Sequence, residues 1–401
     1  VVRRVATVVL ALLWAGSVAA LATGTVARRP ALLALAGTSL LLVVLGMVAV
    51  RRRRVPPPPP AVVRAGDRVV GLPPRDPHFA GREDLLAAPP KVITGPPGSG
   101  TSSLAFEYAY RSAHEFQFVG VLHASRPELL PDQYAKLAVA LGVPADGVVA
   151  ALADHRPWLL IFDDAGGPAD IEHLLPPGGR IIVTSSAPGW NAYTLGGLEE
   201  PADFLRRRAD LSRKEAGALA ETVGDLPLAL ELAGAYLAET RADPHAYLVR
   251  LQTLLVRVPG NIMLALWSLS AQHLRATAPD AYRALEMWSF LGPEPIPLAV
   301  FGDLDPDPAV RLGLARTDGV TVTVHPLIQS LVRTAPDVRR RESATSAATA
   351  LRAHLTDAAD EVWRSVLPHV LAVVGRPEVA GDRTVSWLLH HVEFLRGDSV
   401  S

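Results

Sequence analysis

The sequence predicts an α/β fold built on a doubly wound parallel sheet, followed by a largely helical region, and three observations carry that prediction. Short β-rich runs alternate with helical stretches from about residue 76 to residue 198. A glycine-rich loop, Gly95-Pro-Pro-Gly98-Ser99-Gly100-Thr101-Ser102-Ser103, joins a strand to a helix. A later apolar strand, Trp158-Leu-Leu-Ile-Phe-Asp163-Asp164, ends in two carboxylates. In sheets of this kind ligands sit beyond the carboxyl ends of the strands.

Taken in order, the chain opens with two apolar runs, Val5 to Ala27 and Ala31 to Val50, separated by Arg28, Arg29 and Pro30. Each reaches the roughly 20 residues that cross a hydrocarbon core, so residues 1–54 are expected to form a transmembrane hairpin with its basic flank. Arg3, Arg4 and the cluster Arg51 to Arg54 place both ends in the cytoplasm, an assignment that Arg28 and Arg29 oppose. A cleaved signal peptide over the first 22 or so residues is the competing reading. Gly16, Ala20 and Gly24 make a small-residue face that admits self-association, against which stands plain alanine-rich filler. Residues 55–75 are read as a linker, with Pro56 to Pro60 a semi-rigid spacer of roughly 15 Å.

Strands are expected at Lys91 to Thr94, Phe116 to His123, Trp158 to Asp163, Arg180 to Ser185 and Ala192 to Leu195, with a helix over Ser102 to Ala113. These make residues 76–198 one domain. Residues 199–275 read as helical, and 276–336 as a small helical unit with a two-stranded wing at Val320 to Val324. Residues 337–401 are again helical, with Trp363, Leu367, Trp387 and Leu388 as candidate core.

Composition narrows the function classes. Thirty-nine basic residues against 40 acidic ones provide no general affinity for nucleic acid. The absence of cysteine excludes disulfides, thiolate metal sites and a cysteine nucleophile. His390 and His391 lack companions for a metal site. Lysine occurs only at Lys91, Lys136 and Lys214.

The loop has the spacing G-x-x-x-x-G-K-[ST], in which backbone N–H groups wrap phosphates, the lysine neutralises charge and the hydroxyl holds Mg²⁺. Gly95, Gly100 and Ser102 fit, whereas Thr101 stands where the lysine belongs. Lys91 cannot replace it, lying four residues before Gly95 and therefore roughly 13 Å away along a strand. Beyond the loop, Asp163 is the candidate Mg²⁺ ligand beside Ser102, and Asp164 the residue to orient an attacking water. An ordinary acidic turn before Gly166 and Gly167 is the alternative.

Further motifs follow in a fixed order: Phe79-Ala-Gly81-Arg82-Glu83, then the loop, the acidic strand, Ile182-Val-Thr184-Ser185-Ser186 with Trp190, Gly224-Asp-Leu-Pro227-Leu228-Ala229, and Val324-His325-Pro-Leu-Ile-Gln. Over about residues 76–335 this set resembles the NB-ARC type of STAND signalling NTPases, most closely the bacterial membrane-linked or tetratricopeptide-repeat members. The resemblance implies an α/β P-loop NTPase domain followed by helical and winged-helix domains. It further implies that Gly81 and Arg82 border the adenine, that Gly95, Gly98, Gly100, Thr101, Ser102 and Ser103 form the phosphate loop, that Pro227 packs on the base and that His325 meets the β-phosphate of ADP. Two departures remove positive charge: the loop lysine is Thr101, and the arginine expected after Thr184-Ser185 is Ser186. Both cations would face the terminal phosphates, so their loss weakens hydrolysis most.

The expected function is a membrane-tethered switch that binds ADP or ATP with Mg²⁺, hydrolyses slowly or not at all, and answers to an unidentified protein partner. A nucleotide-free scaffold is the alternative. A winged-helix transcription regulator fits least, given neutral charge and no basic recognition helix.

Overall fold

The computed structural model describes residues 68–397. The expected transmembrane hairpin and the proline run lie outside the described residues. Among those described, no single helix is long and apolar enough to cross a membrane. One bent pair, Pro127–Leu141 with Ala145–Asp154, has the length and composition, but it buries Leu130, Leu137, Leu141, Val148 and Leu152 in the core.

Strands β1 (Arg68–Val70), β2 (Val92–Thr94), β3 (Phe118–His123), β4 (Trp158–Ala165), β5 (Arg180–Ser185) and β6 (Tyr193–Thr194) form one sheet in the order β1-β3-β4-β5-β2-β6. Every pairing is parallel. β1 falls inside the segment expected to be linker, which therefore ends earlier than residue 75: Arg68 pairs with Phe118 and Val70 with Gly120. From β2 the chain crosses to β3, steps back through β4 and β5, and passes β2 to reach β6. The reversal opens a crevice beyond the ends of β2 and β5.

The pleat sorts the apolar residues. Trp158, Leu160 and Phe162 pack on one face with helices α3 (Leu130–Leu141) and α4 (Val148–Asp154). Leu159 and Ile161 pack on the other with Leu104, Ala105 and Ala109 of α2 (Thr101–Ser112). A fully apolar strand buried on both faces is what a parallel sheet with helices on either side requires. Short helices α1 (Glu83–Ala87) and α5 (Pro168–Ile171) complete this part.

Five helices follow: α6 (Pro201–Arg208), α7 (Arg213–Val223), α8 (Pro227–Thr240), α9 (Pro244–Arg257) and α10 (Ile262–Thr277). Ser212 and Glu215 cap α7 reciprocally, each side chain accepting the other's backbone N–H, at 3.3 and 2.8 Å. α8 is buried nearly all round, from Ala229 to Leu237, which makes it the central post of the region. Next come α11 (Pro279–Trp288), β7 (Ile296–Pro297), α12 (Asp307–Arg311), β8 (Arg316–Thr317), β9 (Thr321–Thr323) and α13 (Pro326–Thr334). The sheet here has three antiparallel strands, ordered β7-β9-β8, in place of the expected two-stranded wing. α14 (Arg340–Leu355), α15 (Asp360–Val374) and α16 (Arg383–Gly397) end the described chain. Trp363, Leu367 and Leu388 are buried there as expected, with Trp387 packed against them half-buried. One apolar core runs from α6 to α16, so the junctions near residues 275 and 336 are not breaks in packing.

Candidate nucleotide site

The loop after β2 has the shape its glycines allow. Gly98 and Gly100 both carry φ near +87°, in the left-handed region that only glycine enters without strain. Gly95 is needed for space: a Cβ there would stand 2.5 Å from the Ser99 hydroxyl. That hydroxyl is buried inside the loop and has no hydrogen-bond partner.

Gly100 precedes the first residue of α2, and no side chain caps the helix. The N–H groups of Thr101, Ser102 and Ser103 have no intrahelical acceptor, as in the first turn of any helix, whereas Leu104 N–H already bonds Gly100 O at 2.9 Å. With the α2 dipole behind them these donors suit an anion. The Ser99 hydroxyl, buried beside them, adds a polar atom without a partner. A phosphate group fits this donor set.

Arg82 reaches the same loop through its backbone carbonyls. It follows Gly81 (φ +72°) and itself lies at φ 65°, ψ 30°. Its Nη2 donates to Ser99 O at 2.7 Å and to Gly196 O at 3.0 Å, and its Nη1 to Gly100 O at 3.4 Å. Burial presses the guanidinium pKa down, and Tyr193 presses it up by less. The flanking segment is tied to α2: Glu107, with only 4 % of its side chain exposed, accepts Arg75 at 2.9 and 2.6 Å and Arg111 at 2.7 Å. Arg111 also bonds Glu83.

The acid tip lies at the end of β4, with β5 between it and β2, so about 10 Å separates the two strand axes. Asp163 is buried, and its Oδ1 accepts the Thr184 hydroxyl at 2.7 Å. The same hydroxyl accepts Asp164 N–H at 2.9 Å. The β4–β5 register breaks between Phe162 and Ala165, and Asp164 sits at φ 57°. Thr184 thus stitches a bulge that turns the two carboxylates to different sides. Desolvation, then the charges of Asp163 and Glu294, push the Asp164 carboxyl up to about 6. The residue nonetheless keeps more than a third of its surface open to solvent.

The residues suit Mg²⁺ only in the sparing manner usual for that ion, one carboxylate and one hydroxyl completed by phosphate and water oxygens. Asp163 Oδ2 and the Ser102 hydroxyl would hold it. Among the described residues no group of three or more His, Asp or Glu side chains makes an all-protein cage.

α8 closes directly on the loop. Leu228 N–H donates to Gly98 O at 3.2 Å. A Cβ on Gly98 would meet Leu228 Cβ at 3.0 Å, and one on Gly100 would lie 3.8 Å from Pro227 Cγ. His325 stands at the start of α13, where its Nδ1 accepts Leu327 N–H at 3.1 Å. Desolvation, then Arg316, lower its pKa to about 4, so the ring is neutral with its proton on Nε2. Arg316 in turn pairs with Asp76 at 2.7 Å, six residues before Arg82.

Arg82, Gly98, Gly100 and Pro227 are therefore brought together at one loop, with Thr101, Ser102 and Ser103 opening the helix behind it. His325 makes no hydrogen bond to the loop; its partner is Leu327 N–H, and the nearby charge of Arg316 is paired with Asp76. Ser186 is exposed. Sequence reasoning misses the Thr184 bridge and the Glu107 clamp. Their only signals are a threonine in the strand after the paired acids and a glutamate on the inner face of α2.

Comparison with family models and with curated proteins gives no match. Among solved structures the chain is similar to a signal transduction ATPase with numerous domains (STAND) that carries a tetratricopeptide repeat sensor, from Pyrococcus horikoshii. The TM-score is 0.54 at 15% identity, covering 80% of this chain and 51% of that one. This chain thus spans about half the length of that protein. A likeness to a Walker-type ATPase of Pyrococcus abyssi, TM-score 0.29 at 14% identity over 60% of this chain and 90% of that one, carries no argument. At such identity the first likeness speaks to the fold alone, a parallel α/β sheet domain followed by a helical region.

Proposed function

We propose that the chain is a STAND-type signalling switch of the NB-ARC kind that binds ADP or ATP with Mg²⁺ and turns it over slowly or not at all. The observation that carries this reading is the loop itself: the first N–H groups of α2 lack intrahelical acceptors and the buried Ser99 hydroxyl lacks a partner, while Leu228 and Pro227 of α8 lie against Gly98 and Gly100. A ligand in the loop would therefore be felt by the helical region at once. In this reading residues 76–198 hold the phosphates, Pro227 covers the base, and residues 276–336, taken as a winged helix, present His325 in the closed form. Closure responds to nucleotide only through contacts that differ between states, and Leu228 with Gly98 and His325 with its surroundings are those contacts. Asp164 would orient water, and the lack of a cation at Thr101 and Ser186 leaves developing charge on a transferring phosphate unstabilised. We further propose that residues 1–54 tether the switch to a membrane, with the described part cytoplasmic and a protein partner as its output.

The test is to purify the full chain in mild detergent, denature it, identify any released nucleotide, and measure Mg·ADP and Mg·ATP affinity for it and for Thr101→Lys. Bound ADP with negligible turnover, and tighter triphosphate binding in the lysine variant, are expected. No nucleotide in either protein and no gain from lysine would leave the nucleotide-free scaffold, the reading that Thr101 and Ser186 favour.

A further inference from the structure

We infer that Arg82 supplies the fixed positive charge the phosphate loop lacks at Thr101, as a positioning residue that works through the loop's own peptide groups. The inference rests on the nucleotide reading above and departs from the expectation that this arginine borders the base.

In a planar trans peptide the C=O and the following N–H point in opposite directions. Arg82 donates to Ser99 O and to Gly100 O, so it holds the two peptide units whose other ends are the N–H groups of Gly100 and Thr101. Gripping the carbonyls fixes the aim of those N–H groups away from the guanidinium, toward the side where an anion would lie. A cation on the carbonyl end also polarises each unit and strengthens its N–H as a donor.

Three features make the charge available for this purpose. Among the described residues no carboxylate pairs with Arg82: its partners are the carbonyls of Ser99, Gly100 and Gly196. Five N–H donors serve three acceptors, so the guanidinium is not exhausted. The segment is also clamped to α2, the helix that begins at the loop: Glu83, the next residue, pairs with Arg111, and Glu107 holds both Arg111 and Arg75. Arg82 therefore moves with the loop, as the missing lysine would. The close approach is built in: a Cβ on Gly100 would lie 3.0 Å from Arg82 Nη1.

The arrangement differs from a lysine in one respect that matters. A lysine follows the terminal phosphate by its own flexible arm, whereas Arg82 is locked to the back of the loop. It strengthens phosphate binding and cannot follow charge that develops on transfer.

The test uses the full chain and two probes, Mg·ADP by calorimetry and adenosine by ligand-observed NMR. Arg82→Gln keeps a donor for Ser99 O and loses the charge. It should weaken Mg·ADP on the order of tenfold or more while changing adenosine less than about twofold. Adding Thr101→Lys to that variant should restore most of the Mg·ADP affinity, which repair of a merely structural defect would not do. Arg82→Lys, which keeps the charge, should stay within about threefold of the parent for Mg·ADP, and it decides the matter if Arg82→Gln does not fold. Equal loss of both probes in Arg82→Gln would return the arginine to the base and overturn the inference, as would no loss of either, no rescue by Thr101→Lys, or a tenfold loss in Arg82→Lys. Failure of the parent chain to bind Mg·ADP at all would fell the nucleotide reading instead.

Discussion

Leu228 donates its N–H to the carbonyl of Gly98 at 3.2 Å, so the first turn of α8 is hydrogen-bonded to the glycine-rich loop itself. The glycine permits this twice over, by its φ of +87° and by leaving room for the Leu228 side chain. Gly98→Ala should cost about 2 kcal/mol of stability from backbone strain together with the clash. Urea denaturation of the variant against the parent measures it; an unchanged midpoint would show that α8 is not seated on the loop.

Thr184 binds both acids of the β4 tip with one hydroxyl. Thr184→Val leaves Asp163 Oδ1 and Asp164 N–H without that partner and should destabilise by about 1–3 kcal/mol, whereas Thr184→Ser should retain most of it. If Asp163 holds Mg²⁺, the valine variant should also lose Mg²⁺-dependence in ADP binding, read by titration with and without the metal. Equal behaviour of the valine and serine variants would show that the hydroxyl does nothing.

His325 offers a pH test. Its folded pKa of about 4 lies below the ordinary 6.5, so its contribution to stability is present above about 6.5 and is lost as the pH falls through about 4. A tenfold difference in proton affinity between the folded and unfolded chain is worth about 1.4 kcal/mol, so the parent should lose about 2–3 kcal/mol relative to His325→Gln between pH of about 7 and about 4.5. Glutamine can still accept from Leu327 N–H and does not titrate. A constant difference between the two proteins over that range would refute the assignment of a neutral ring.

Glu107 lies buried between two arginines. Glu107→Ala leaves Arg75 and Arg111 without their shared carboxylate and should free residues 71–82 to proteolysis, with a stability loss of about 2–4 kcal/mol. Limited trypsin digestion followed by mass mapping reads the result. Cleavage at Arg75 or Arg82 no faster than in the parent would count against the clamp.

Much of the sheet can be read from residues alone, because β3, β4 and β5 are apolar runs whose length and ends are local properties. β1 cannot: Arg68-Val-Val is three residues in an arginine- and proline-rich stretch and becomes a strand only by pairing with β3. β7 is two residues among prolines and owes its existence to β9. The loop's sequence names its glycines but not their separate reasons, since the space at Gly95 is taken by Ser99 and that at Gly98 by a helix far along the chain. Arg82 is visible as a site residue, but its target is not. Which carbonyl a guanidinium finds depends on the left-handed turn at Gly81 and Arg82, and nothing in the adjoining letters encodes that direction.

Strand β5 has a consequence for how the molecule can move. Ser185 O accepts the Gly95 N–H at 3.3 Å on one side, and Thr184, the residue before it, holds the acid tip on the other. Two consecutive residues of one buried strand therefore act as a ruler, fixing the span between loop and acids by sheet spacing. Neither end has slack to take up a load by itself. The seam between Gly98 and Leu228, by contrast, is held by a single backbone hydrogen bond between segments far apart in the chain.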